Sequence, residues 1–84
     1  MTDQNIQIFT LSTCGHCKSV KKFLEKHSVT YDCIDVDLLD RDQRKEILED
    51  IKKLNPRLSF PTIVINDRVI VGYKEKEIKE ALEL

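Results

Sequence analysis

The sequence predicts a small α/β domain of order β-α-β-α-β-β-α, with one four-stranded mixed sheet flanked by three helices. Three observations predict it. Short β-rich runs alternate with stretches whose apolar residues recur at helical spacing. A two-residue turn signal joins the last two β-rich runs. The two prolines and two glycines punctuate the pattern at its joints.

The first strand is Ile6-Gln7-Ile8-Phe9-Thr10. Leu11-Ser12-Thr13 leads into the first helix, where Cys17, Val20, Phe23 and Leu24 keep i, i+3, i+4 spacing and lysines fill the other face. A second strand is expected over residues 30–36. Asp40 is a good N-cap for the next helix, which carries Ile47, Ile51 and Leu54 on one stripe and stops at Asn55-Pro56. Pro61-Thr62-Ile63-Val64-Ile65 reads as the third strand, Asn66-Asp67 as a tight turn, and Arg68-Val69-Ile70-Val71 as the returning strand. Gly72 breaks that strand, and residues 75–84 form a last helix with Ile78, Ala81 and Leu82 inward. The first β-α-β is expected to be a right-handed crossover between parallel strands, and the last two strands an antiparallel hairpin on the same sheet.

The bulk properties fit a single domain over residues 1–84, 40% hydrophobic and 35% charged. A net charge of −1 gives no basic excess for nucleic acid. No apolar run approaches the roughly 18 residues that span a bilayer, and Met1-Thr2-Asp3-Gln4-Asn5 is polar, unlike a signal peptide. The expectation is a cytoplasmic monomer with neither membrane nor nucleic acid as partner. The three cysteines point the same way. A secreted disulfide scaffold of this size carries more of them, in even number, whereas a lone C-x-x-C in a reducing compartment is more often chemical than structural.

That unit is Cys14-Gly15-His16-Cys17, placed between the first strand and the first helix. Two cysteines three apart at a helix start can close a small disulfide ring. Cys14 faces the unpaired N–H groups and the positive end of the helix dipole, which both favour thiolate over thiol. Cys17, one turn into the helix, is suited to resolving a mixed disulfide. A protonated His16 between them would stabilise the dithiol state and tune the pair toward oxidation. Lys18, Lys21 and Lys22 read as a solvated helix face. Cys33 reads as a small buried hydrophobe and His27 as a helix-end residue that complements the dipole. Zinc held by Cys14, Cys17, His27 and Cys33 is disfavoured, because the last two lie on different elements from the helix start.

Cys14-Gly15-His16-Cys17, the Phe60-Pro61-Thr62 segment and Gly72 before the last helix resemble the glutaredoxin family over essentially the whole chain, and the element order is that of the thioredoxin fold. The Cys-Gly-His-Cys tetrad is also similar to the active sites of protein disulfide isomerases. The resemblance implies a thiol–disulfide oxidoreductase, an electron carrier with a nucleophilic Cys14, a resolving Cys17 and a cis peptide bond before Pro61. That bond would turn the backbone of Phe60 toward Cys14, where its N–H and C=O could pair with an extended substrate. Thr13, Phe60 and Pro61 are the expected substrate-binding residues. Glutathione-using members usually carry a lysine or arginine three residues before the first cysteine, where this chain has Leu11. Its Gly72-Tyr73-Lys74-Glu75-Lys76-Glu77 stretch is similar to that of redoxins that serve ribonucleotide reductase, which a thioredoxin reductase reduces. The expected partners are protein disulfides and a thioredoxin reductase-type or ferredoxin-linked reductase, with glutathione the disfavoured reductant and no bound cofactor. The alternative reading is an iron–sulfur or other metal-binding member of the family. A third is an adaptor that uses the fold for binding alone, against which the intact C-x-x-C argues.

Overall fold

A strand with apolar side chains on both faces belongs in the middle of a covered sheet. β1, Ile6–Thr10, is such a strand: its alternation sends Ile6 and Ile8 into one core and Phe9 into another. The computed structural model describes residues 5–83, so Met1–Gln4 and Leu84 lie outside the described residues. β1 pairs in parallel with β2, Asp32–Asp35, and antiparallel with β3, Thr62–Ile65. β3 pairs antiparallel with β4, Arg68–Val71, giving the order β2-β1-β3-β4.

Three helices cover this mixed sheet. Val20, Phe23 and Leu24 of α1, Gly15–Lys26, join Ile78 and Leu82 of α3, Glu75–Leu82, over Ile6, Ile8, Ile63, Ile65 and Ile70. Across the sheet, Ile47, Leu48 and Ile51 of α2, Arg41–Leu54, pack with Phe9, Ile34, Val36 and Val64. The helix starts are built locally. Asp40 accepts the Gln43 N–H at 2.8 Å, and Cys14 caps α1 with its sulfur. The Asn66-Asp67 turn joins β3 to β4, and Gly72, at φ +86, takes the left-handed backbone that ends β4.

The structure corrects several details. The second strand is four residues long, and Val36–Leu38 form a 3-10 turn instead of continuing it. The guanidinium of Arg44 holds that turn by donating to the carbonyls of Asp37 and Leu39, at 3.2 and 3.0 Å. β3 starts at Thr62, since Pro61 has no N–H to give the ladder. Leu54 is 40% exposed, while Leu48 joins Ile47 and Ile51 on the buried face and Asn55, 4% exposed, fills the inward position at the helix end. α3 stops at Leu82, with Glu83 in a left-handed cap. Cys33, assigned to the interior by its apolar neighbours in sequence, is exposed because β2 is an edge strand.

Candidate functional site

The C-terminal end of β1 carries the site. Thr10 ends the strand, Leu11–Thr13 form a turn closed by the Cys14 N–H on the Leu11 carbonyl at 3.0 Å, and Cys14 caps α1. Cys14 Sγ accepts the backbone N–H of Cys17 at 3.2 Å, which satisfies one of the donors a helix start leaves open. The two sulfurs differ sharply in setting. Cys14 is half-buried, and Cys17 is 0% exposed, packed beneath the helix. Burial pushes the Cys17 thiol up to about 12, and its side-chain hydrogen bond with Cys14 adds to the effect. A low-dielectric setting disfavours the charged form. Cys17 is thus a protonated reserve thiol beside a more accessible Cys14. Both are free thiols in this structure.

The turn before Cys14 is fixed from the side. The Asp37 carboxylate accepts the Ser12 N–H at 2.8 Å and the Ser12 hydroxyl as well. These two bonds hold Asp37 below the usual carboxylate range. His16 and Thr13 are both exposed, His16 in a first helical turn that contains no acidic residue.

The second sequence-predicted segment meets this end of the sheet. The Phe60–Pro61 bond is cis, Pro61 is buried, and its carbonyl accepts the Gly72 N–H at 2.8 Å. Since Phe9 pairs with Thr62, continuing the register sets Pro61 opposite Thr10. The Phe60-Pro61 loop and the Cys14 turn therefore leave the sheet at the same end. Leu11 and Phe60 also pack in one apolar cluster with Phe9.

Sequence reasoning missed three supports of the site. Asp37 holds Ser12, as described. Asn55, read as a helix stop, donates through Nδ2 to the Ser59 carbonyl, the Ser59 hydroxyl and the Thr62 hydroxyl at 3.1, 3.1 and 3.2 Å, bracing the chain on both sides of Phe60-Pro61. Thr10 donates to Asp35, which also pairs with Lys21 at 3.3 Å. Only Asn55 left a signal in the sequence, as a polar residue next to Pro56 at a helix end.

The four residues disfavoured above as zinc ligands do not converge. His27 caps the far end of α1, about 20 Å from Cys14 at 1.5 Å per residue, with its ring against Phe23. Among the described residues, no group of three or more His, Cys, Asp and Glu side chains is placed to hold a metal ion. No described helix is long and apolar enough to cross a membrane.

Comparison with known proteins adds lineage to this geometry. Residues 6–70 match the glutaredoxin family profile. The crystal structure of Methanosarcina acetivorans methanoredoxin superposes with a TM-score of 0.90 at 41% identity, over 95% of this chain and 85% of that one. A glutaredoxin-like 8.6 kDa protein of the rubredoxin operon of Clostridium pasteurianum is 30% identical, over 93% of this chain and 97% of its own length. The glutaredoxin-like protein NrdH of Lactococcus lactis is 26% identical, over 87% and 93%.

Proposed function

Because this chain belongs to the glutaredoxin family, whose members are thiol–disulfide oxidoreductases, we propose that it reduces or exchanges disulfides in partner proteins as a monomeric dithiol carrier of the cytoplasm. The observation that carries this reading is the asymmetry of the two sulfurs. Cys14 sits half-exposed at the start of α1, its sulfur accepting the Cys17 N–H, and Cys17 is buried and protonated beside it.

The reaction follows from that asymmetry. The Cys14 thiolate attacks one sulfur of the substrate disulfide; that S–S bond breaks and the other substrate sulfur leaves as a thiolate. Cys17 then gives up its proton, which the departing substrate thiolate can take, and attacks Cys14. The Cys14–Cys17 bond forms, the mixed disulfide breaks, and the second substrate thiolate leaves. Two electrons have passed from protein to substrate. Once Cys14 is in the mixed disulfide, its negative charge no longer opposes ionisation of Cys17, so the first step eases the second.

Around this chemistry, His16 acts as the tuning charge, and Thr13, Phe60 and Pro61 as the substrate contacts. The Phe60 backbone would take an extended stretch of the partner by β-addition. Reduction of the Cys14–Cys17 bond is assigned to a thioredoxin reductase-type or ferredoxin-linked enzyme. Leu11 supports that assignment, because it packs into the apolar cluster and offers no cation.

Trapping tests the whole reading. Cys17→Ser purified from cells should carry proteins joined to Cys14 and released by reductant, and Cys14→Ser should carry none. Recovery of the same proteins on both variants, or on neither, would overturn it.

A further inference from the structure

α1 carries a charge pattern that disulfide exchange does not use. Lys18, Lys22 and Lys26 follow one another at four-residue steps behind the Cys14 N-cap, so three exposed ammonium groups form a slanting ridge that leads away from the sulfur. Among the described residues none of the three makes an ion pair, whereas Lys21, beside the stripe, is paired with Asp35. Like charges four apart repel along a helix, and Lys18 in the first turn opposes the dipole, while Lys26 in the last turn complements it. α2 and α3 instead interleave acids and bases along their length.

A cleft of about 320 Å³ lies beside the stripe, lined by Ser19, Lys22, Phe23, Lys26, Tyr73 and Glu75. Half-buried Tyr73 gives it an aromatic wall, backed edge-on by the buried Phe23 ring with centroids 6.3 Å apart. Glu75, the acidic residue of the lining, is paired with Lys79 at 3.3 Å.

We propose that this stripe and cleft dock an acidic segment of the protein that carries the target disulfide, with carboxylates on Lys18, Lys22 and Lys26 and an apolar side chain against the open side of Tyr73. The proposal rests on the exchange reaction above and adds the charge of its partner. Cys14 to Lys26 spans about 18 Å of helix, which matches about five to six residues of extended chain. The recognised segment therefore flanks the disulfide directly. Steering by such a stripe acts on encounter and is screened by salt.

The test uses two synthetic peptides with the same intramolecular disulfide, one flanked by glutamates and one by lysines. Reduced protein is mixed with each, quenched by alkylation and read by mass. At low ionic strength the glutamate peptide should oxidise the protein about tenfold faster or more, and added salt should close the gap. Lys22→Glu/Lys26→Glu should reverse the preference, and Lys22→Gln/Lys26→Gln should nearly abolish it. Hydroxyethyl disulfide, small and uncharged, should oxidise all three proteins at one rate. Equal rates on both peptides, with hydroxyethyl disulfide still reacting, would overturn the docking surface alone. No reaction with any of the disulfides would overturn the exchange chemistry beneath it. Displacement of the glutamate peptide by a duplex oligonucleotide at lower concentration would reassign the stripe to nucleic acid and overturn the proposal.

Discussion

Asp37 takes both hydrogen-bond donors of Ser12, its N–H and its hydroxyl, and so ties the turn before Cys14 to the 3-10 turn after β2. Arg44 anchors the other side of that turn through the carbonyls of Asp37 and Leu39. Asparagine at position 37 keeps one acceptor oxygen for the Ser12 N–H but carries no charge, so Asp37→Asn turns two charge-assisted bonds into weaker neutral ones. Alkylation of Cys14 by iodoacetamide should slow by about two- to fivefold, since a loosened turn lets the sulfur drift from the helix N-terminus, an interaction worth about 0.3–1 kcal/mol to the thiolate. Ser12→Ala, which keeps the N–H bond, should slow it less. The acid side follows from the lowered Asp37 ionisation: its contribution to stability is full above the ordinary value of 3.8 and is lost as pH falls through the lower folded value. Urea midpoints measured from pH 5 downward should therefore fall more steeply for the native chain than for Asp37→Asn.

Cys17 predicts the opposite behaviour at high pH. Its folded thiol is pushed up from 9.0 to about 12, so the unfolded chain ionises first. The stabilising contribution is complete below about pH 9 and is lost as pH rises toward 12. Denaturant midpoints of the fully reduced protein should drop across that window, and Cys17→Ala should flatten the drop. An unchanged drop in the variant would assign the effect to other groups.

Asn55 predicts a loss that is structural first and functional second. Its Nδ2 serves Ser59 and Thr62 on the two sides of Phe60-Pro61, and the residue is 4% exposed. Asn55→Leu strands these acceptors, at a cost of about 1–3 kcal/mol. Thermal unfolding would measure it. Partner trapping on a Cys17→Ser background should also weaken, because the loop that carries Phe60 loses its brace. Thr62→Val, which removes the hydroxyl that donates to the Ser59 carbonyl at 2.8 Å, should act in the same direction but less strongly.

Local patterns made much of this molecule legible. The buried stripe of α1, the Asp40 cap, the Asn66-Asp67 turn and the placement of Cys14 at a helix start are all set by residues within a few positions of each other. The bonds that hold the site in place are not. Ser12 and Asp37 are 25 residues apart, and neither carries a spacing signal that would pair them. Cys33 shows a related limit. Its neighbours Tyr31, Ile34 and Val36 read as interior, but β2 sits at the sheet edge, and edge position depends on strand order rather than on the strand's own residues. Leu54 fails for a third reason: helical periodicity would keep it inward, and the side-chain bonds of Asn55 claim that place.

The choice of reductant gives the last prediction. Glutathione is a small anion at neutral pH, and holding it specifically takes placed cations and backbone donors. Leu11 stands where glutathione users carry a cation, and here it is packed with Phe9 and Phe60. Tyr73, in the stretch similar to that of redoxins serving ribonucleotide reductase, stacks edge-on against Phe23. Lys74 is drawn toward Glu77, at 3.7 Å, which offsets its charge. A protein reductase needs none of these contacts, because it can read the half-exposed Cys14 and the Phe60 loop over a wider surface. Oxidised protein supplied with a thioredoxin reductase should therefore consume NADPH faster than protein supplied with glutathione and glutathione reductase. Leu11→Lys should raise the glutathione rate and leave the reductase-driven rate nearly unchanged. Efficient, saturable turnover of the native chain with glutathione alone would overturn the assignment and make the protein an ordinary glutathione-dependent glutaredoxin.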